Sequence, residues 1–430
     1  MLQTIQKQIQ ALAQVSAWII KEEQSLSAEV FCIQNKIDMN RSCQTHEYNV
    51  RLFVDFEENG TKYKGDSSVN ISLSDSQEEV IQKLSQTAFA AGFVKNPWYA
   101  LPSNTGKAQS LQARPSVEDF KAQFQDIHNV IYKAYPYKAK INCCELFATQ
   151  KNIRVLTSTG VDVTYPKNSF SMELVTDCND GAEPVEIFNL YHLTSVDLVK
   201  LEAIVSKQLM ETEGRAFAVR NPKIEKINVI LSNEAVEELL NFYLAQAKDS
   251  AVYQKISRLQ KGARVNKEDN VQNINIRINP LLASALDASP VDTEGKILSA
   301  YPLITNNVLQ NYITTAKFSH YLGEEHIGYS NVFEVECGDT SYTEFTSGDY
   351  IEILAFSSFI MDTTTGDFGG EFRLAKYIKD GVAGYITGGS ISENIFTAQN
   401  TMRFSKEQEV RSNSITPKAI LLPNITVAGE

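Results

Sequence analysis

The chain has 430 residues, 43% of them hydrophobic and 21% charged, with a formal net charge of −12. That length exceeds one ordinary core, so two domains are expected. The acidic balance lacks the basic face that phosphates require, which argues against nucleic acid as a partner, and it would repel an anionic membrane surface.

The N-terminus is too polar for a signal peptide, and no stretch approaches the roughly 18 apolar residues of a membrane span. Six cysteines without a CxxC pair fit reduced thiols, so a cytoplasmic protein is expected.

Ile5, Ile9 and Leu12 recur at helical spacing and predict an amphipathic helix over residues 3–23. Residues 30–33 and the alternating Tyr48, Val50, Leu52, Val54 and Phe56 read as strands, and Asn59-Gly60 turns the chain into a partner strand over 61–73. Ser76 and Glu79 have the spacing of a capping box and open a helix that runs to Gly92. Residues 95–116 read as a loop, 117–135 as a helix, and 139–151, 153–157, 161–165 and 169–176 as strands, with Thr159-Gly160 as a turn. A helix over 195–211 precedes Glu213-Gly214-Arg215, taken as the boundary between an N-terminal α+β domain (1–214) and a β-rich C-terminal domain (215–430).

In the second half, Lys226 to Leu231 reads as a buried strand and Ser232 as the cap of a helix through Leu239, Leu240 and Phe242. Beyond Asn273 the pattern is of short strands with helices at 299–309, 311–322 and 390–403, the last opened by Ser390 and Glu393 as a second capping box. The expected fold is α+β: helices on an antiparallel N-terminal sheet, then a β-rich, barrel-like C-terminal domain.

The most distinctive stretch is 363–395. Phe368-Gly369-Gly370 leads into a strand, Asp380-Gly381 is a two-residue hairpin turn, and Val382 to Thr387 returns. Paired glycines beside a hairpin edge would let an extended peptide approach the backbone. A charged residue at Gly369 is then expected to impair peptide handling without unfolding the chain. A structural hairpin punctuated by glycines is the simpler reading of the same pattern.

Catalytic motifs are scarce. His46-Glu47 begins like a zincin motif but lacks the second histidine. His320 and His326 stand six apart, on different faces of any helix, so no metal site is expected between them. Asp287, Asp292 and Glu294 cluster in a turn-rich segment and read as a solvated loop in preference to a catalytic carboxylate pair. No GxSxG, Walker loop or GxGxxG is present, and no histidine adjoins a cysteine.

Taken in order, several segments resemble the TldD/PmbA family, whose members are labelled modulators of DNA gyrase. Asp292-Thr293-Glu294-Gly295 resembles its acidic-Glu-Gly step, and Leu303 to Leu309 the apolar segment after it. Asn311 to Gly323 resembles its helix ending at glycine, Thr365-Gly366-Asp367-Phe368 a further short step, and Lys379-Asp380-Gly381 with Ile386-Thr387-Gly388-Gly389 its hairpin. Ala419 to Gly429 fits the terminal strand, while Ile153 to Gly160 is a weaker match in which Ser158 stands where the family often has Asn. The resemblance covers roughly residues 150–430.

The resemblance implies two kinds of subunit. TldD-type chains carry an HExxxH helix whose two histidines, with a downstream cysteine, bind zinc while the Glu acts as general base. This chain has no HExxxH, so it resembles the PmbA/TldE type, with no cofactor of its own and zinc in a TldD-type partner. Implied partners are that HExxxH subunit, or a second copy in a homodimer, and a peptide substrate. The peptide-groove candidates are Gly366, Asp367, Phe368, Gly369, Gly370, Asp292 and Glu294. Two other readings remain: a homodimeric binding module without proteolytic activity, and a divergent hydrolase using Cys337 or a carboxylate.

Overall fold

The computed structural model describes residues 1–430 apart from 104, 105, 182, 222, 223, 267, 269, 270 and 430, and apart from the side chain at 225. The chain opens with α1 (Leu2–Gln10), β1 (Ala17–Ile33), β2 (Lys36–Glu58), β3 (Thr61–Ser72), α2 (Gln77–Ala91) and α3 (Val117–Ile131). Then come β4 (Lys140–Thr157), β5 (Asp162–Cys178), β6 (Val185–Leu193) and α4 (Leu198–Ala216). The six strands form one antiparallel sheet in the order β3-β2-β1-β4-β5-β6.

Alternation along the strands directs the packing. Phe170, Met172 and Leu174 on β5 face Phe120 and Ile127 of α3 and Leu201 and Val205 of α4. At the other end, Val50 and Leu52 of β2 meet Ile5 of α1 and Leu84 of α2, each 0% exposed. Such burial is worth roughly 2 kcal/mol per aliphatic side chain. The α2 capping box forms as its spacing predicts: the Ser76 hydroxyl accepts from Glu79 N and the Glu79 carboxylate from Ser76 N.

The first predicted helix is cut short. It ends at Gln10, and the residues from Ala17 become β1, which is paired along both sides, with β2 and with β4. Two full ladders outweigh a local helical pattern. Strand β6 has no counterpart in the sequence reading.

The second half contains β7 (Val219–Arg220), β8 (Ile224–Leu231), α5 (Glu234–Gln246), α6 (Asp249–Tyr253), β9 (Ile276–Ile278), β10 (Tyr301–Thr305) and β11 (Val308–Leu309). Next are α7 (Ala316–Leu322), β12 (Phe333–Val335), α8 (Tyr342–Phe345), β13 (Tyr350–Phe356), β14 (Ile360–Met361), β15 (Asp367–Lys379) and β16 (Val382–Thr387). The last are β17 (Gly389–Asn394), α9 (Ile395–Ala398), β18 (Arg403–Phe404), β19 (Gln408–Val410), β20 (Ser414–Pro417) and β21 (Ile420–Val427).

These strands make two sheets. The larger runs β18-β21-β8-β13-β15-β16-β7, with β14 and β17 also on β15; the smaller runs β11-β10-β9-β12-β20-β19. Helix α5 touches both, and its Leu239, Leu240, Phe242 and Tyr243 are all 0% exposed. Its Glu234 and Glu238 stay exposed, so the helix buries its apolar side between the two sheets and leaves a polar stripe to solvent.

Two local expectations change. Residues 299–309 form β10 and β11, turned by Asn306 and Asn307 at φ +49° and +63°, the conformation of a type I′ hairpin. Ser390 and Glu393 lie on β17, and the short helix begins only at Ile395, capped by the Asn394 side chain accepting from Phe396 N. Glu213-Gly214-Arg215 forms the last turn of α4, with Gly214 against the Tyr385 ring. The Asp380-Gly381 hairpin forms as read, at φ +51° and +76°. No helix among the described residues is long and apolar enough to cross a membrane.

Candidate functional site

Where the N-terminal sheet faces the segment 287–298, a cleft of about 550 Å³ opens. Ile19 of β1 and Ile153 and Val155 of β4 give it an apolar floor, and Val291, Leu298 and Tyr329 form the opposite wall. Its cations are already matched: Lys21 to Glu23 at 2.8 Å, Arg51 to Asp66 at 2.8 Å, and Lys167 to Asp287 at 2.8 Å. The two walls are held in register by direct contacts. Arg114 donates to the carbonyls of Asn168, Ala283 and Ala285, and Gly295, at φ +86°, lies against Thr157 at the end of β4.

The segment Asp292-Thr293-Glu294-Gly295 is a built turn. Asp292 Oδ1 accepts from Glu294 N and Lys296 N, both at 2.9 Å, and Asp292 N donates to the Lys296 carbonyl. The turn sends Glu294 inward, where its Oε2 accepts from Ala316 N at the start of α7 at 2.7 Å. Beside it Asp249 Oδ2 accepts from Thr315 N at 2.6 Å and Thr315 Oγ1 at 3.1 Å. The residues after α7 return to the same place: Ile327 N and Gly328 N donate to Thr314 Oγ1, and Tyr329 N donates to Asp292 Oδ2 at 3.2 Å.

The expected solvated loop is therefore a buried one, with Asp292 6% and Glu294 8% exposed. Of its three carboxylates only Asp287 stays near the surface, paired with Lys167. Burial pushes the Glu294 carboxyl up, and nearby Asp292 adds to this against the Ala316 amide and His326. Burial likewise raises Asp249, against the donors of Thr315. His326, absent from the candidate residues, completes the cluster, with Nε2 3.7 Å from Asp292 Oδ2 and 3.9 Å from Glu294 Oε2. No local motif announces this meeting, because the partners are more than thirty residues apart and only the fold joins them. His320 is elsewhere, edge-on to Trp98.

The glycine-rich candidates form a different environment, and no residue of 363–370 lines the cleft. Gly366, at φ +85°, packs on Phe396 and Ile395, and Phe368 is buried. Asp367 is exposed, and donors from Asn394 and Thr365 hold its carboxyl below its usual range. Gly369 pairs with Ile360 of β14 on one side and Ser392 of β17 on the other. The expected free edge is occupied on both sides, so no peptide strand can add there.

Other chemistry is sparse. Burial, with Glu336 and Glu407 nearby, pushes the Cys337 thiol up, away from a nucleophilic thiolate. All six cysteines are free.

Residues 224–429 match the family described as PmbA/TldA metallopeptidase C-terminal domain. No curated protein matches the chain. Among solved structures, the fold is shared with TldE from Thermococcus kodakarensis at 19% identity and TM-score 0.79, covering 99% of this chain and 100% of that one. A "putative modulator of DNA gyrase" from Bacteroides thetaiotaomicron matches at 16% identity and TM-score 0.81, covering 100% and 99%. A "putative modulator of a DNA gyrase" from Thermotoga maritima matches at 13% and TM-score 0.75, covering 100% of both chains. Residues 224–429 therefore form a domain of the family described as PmbA/TldA metallopeptidase C-terminal domain, and the chain as a whole shares the fold of these solved structures.

Proposed function

We propose that this chain is the TldE-like subunit of a two-component peptidase, without the HExxxH catalytic zinc site, acting with an HExxxH-bearing partner on short or unfolded peptides. One observation carries the reading. The single His-Glu step, His46-Glu47, lies on strand β2 and has Arg51 where the motif requires its second histidine. A zincin needs both imidazoles on one helical face with the Glu between them. Here His46 Nε2 is taken up by Glu22 Oε1 at 2.8 Å, and Arg51 is paired with Asp66.

The protein's part is then to bind and shape the peptide path. The cleft suits that task better than the glycine strand: its apolar floor accepts side chains, and Asn49 and Asn331 offer amide groups to a peptide backbone. The catalytic zinc and its general base belong to the partner. The test is peptide cleavage by the purified chain alone and after mixing with an HExxxH homologue from the same cell. Cleavage is expected only in the mixture. Chelator-sensitive cleavage by this chain alone overturns the assignment.

A further inference from the structure

Asp292, Glu294 and His326 come from two segments on either side of α7 and direct three donor atoms at one point, all within 4.8 Å of one another. The separations from His326 Nε2, 3.7 Å to Asp292 Oδ2 and 3.9 Å to Glu294 Oε2, exceed hydrogen-bonding distance. Nε2 is buried and has no hydrogen-bond partner, an unusual state for an imidazole nitrogen. The Asp292 side chain is 1% exposed and that of His326 14%.

We propose that these three residues hold one divalent first-row transition ion, zinc or manganese. The three donor atoms, all within 4.8 Å of one another, are near enough to share one ion once drawn in to the ~2.0–2.2 Å at which zinc takes imidazole and carboxylate donors. An imidazole nitrogen beside two carboxylates favours a transition ion over calcium or magnesium, which take oxygen alone. The ligands are held from behind: Asp292 Oδ1 by two backbone amides, and Glu294 Oε2 by Ala316 N. Such outer contacts fix ligand direction and leave other lone pairs for the ion. Water completes the coordination. The ion ties the 292–295 turn to the strand of chain that follows α7, bracing the cleft wall that Asp292 and Tyr329 share. The site departs from the expectation that this chain carries no metal, and it stands independently of the proposed subunit role.

The competing arrangement is a protonated His326 between two carboxylates, needing no metal. Full-length protein is stripped with chelator and titrated with MnCl₂, then ZnCl₂, by calorimetry, with Tm followed in parallel. Manganese limits interference from the free thiols. One equivalent per chain is expected, with a rise in Tm. His326→Ala and, as a second variant, His326→Gln should each weaken binding at least tenfold and abolish the Tm rise while keeping the far-UV CD spectrum. No binding at millimolar metal, or binding unchanged in both variants, overturns the site. So does a wild-type protein whose Tm is indifferent to metal.

Discussion

A β-carbon on Gly369 would lie 2.1 Å from the carbonyl oxygen of Ile391. Strand β17 crowds it from one side, and at Gly370 the Ser358 carbonyl would be 2.0 Å away. These glycines permit a close backbone approach; they do not keep an edge open. Gly369→Ala should cost about 3 kcal/mol or more, or prevent folding. Gly384→Ala, with nothing within 4 Å of the new methyl, should stay within about 0.5 kcal/mol. Urea unfolding of both compares them directly; an unchanged midpoint for Gly369→Ala contradicts this packing. A charge at Gly369 therefore disrupts the fold and cannot serve as a probe of peptide binding.

Glu211 on α4 is buried, and its Oε1 has no hydrogen-bond partner. Burial raises its carboxyl from an ordinary 4.5 to about 7; Lys207 opposes the shift, and Glu234 and Glu352 reinforce it. With the folded value above the unfolded one, the native state binds more protons between pH 4.5 and about 7, so this group's contribution to stability falls across that window. Glu211→Gln removes the penalty. It should stabilise the protein by about 2 kcal/mol at pH 8 and by little at pH 4.5. Denaturation midpoints at the two pH values check this, and an equal effect at both contradicts it.

Ser68 on β3 is exposed and lines the cleft. Filling that space with Ser68→Trp should leave Tm within a few degrees and reduce partner-dependent peptide cleavage at least tenfold, mainly through KM. Unchanged kinetics would place the peptide path elsewhere.

Features closed within a few residues were legible in the sequence. Ser76 and Glu79 satisfy each other locally, and Asp380-Gly381 fixes its own hairpin. Ser390 and Glu393 have the same spacing as the first pair, yet pairing of 389–394 with β15 takes that segment into a sheet, a choice no local window contains. Strand β6 carries no clean apolar alternation, because Phe188 and Leu190 lie on its exposed face while polar Asn189 sits at the centre of its half-buried one. At the candidate site, Asp292 and Glu294 were visible as residues but not as buried ones. His326 was weighed against His320, the nearer histidine in sequence, because only the turn around Gly295 and the return after α7 bring it to the carboxylates.

Division of labour between two chains is tested by the rate of peptide cleavage measured against the ratio of this chain to an HExxxH partner. No cleavage is expected from this chain at any concentration, and activity should rise with the ratio and saturate as the complex fills. Cleavage by this chain alone, or a partner whose rate is indifferent to it, would contradict the account.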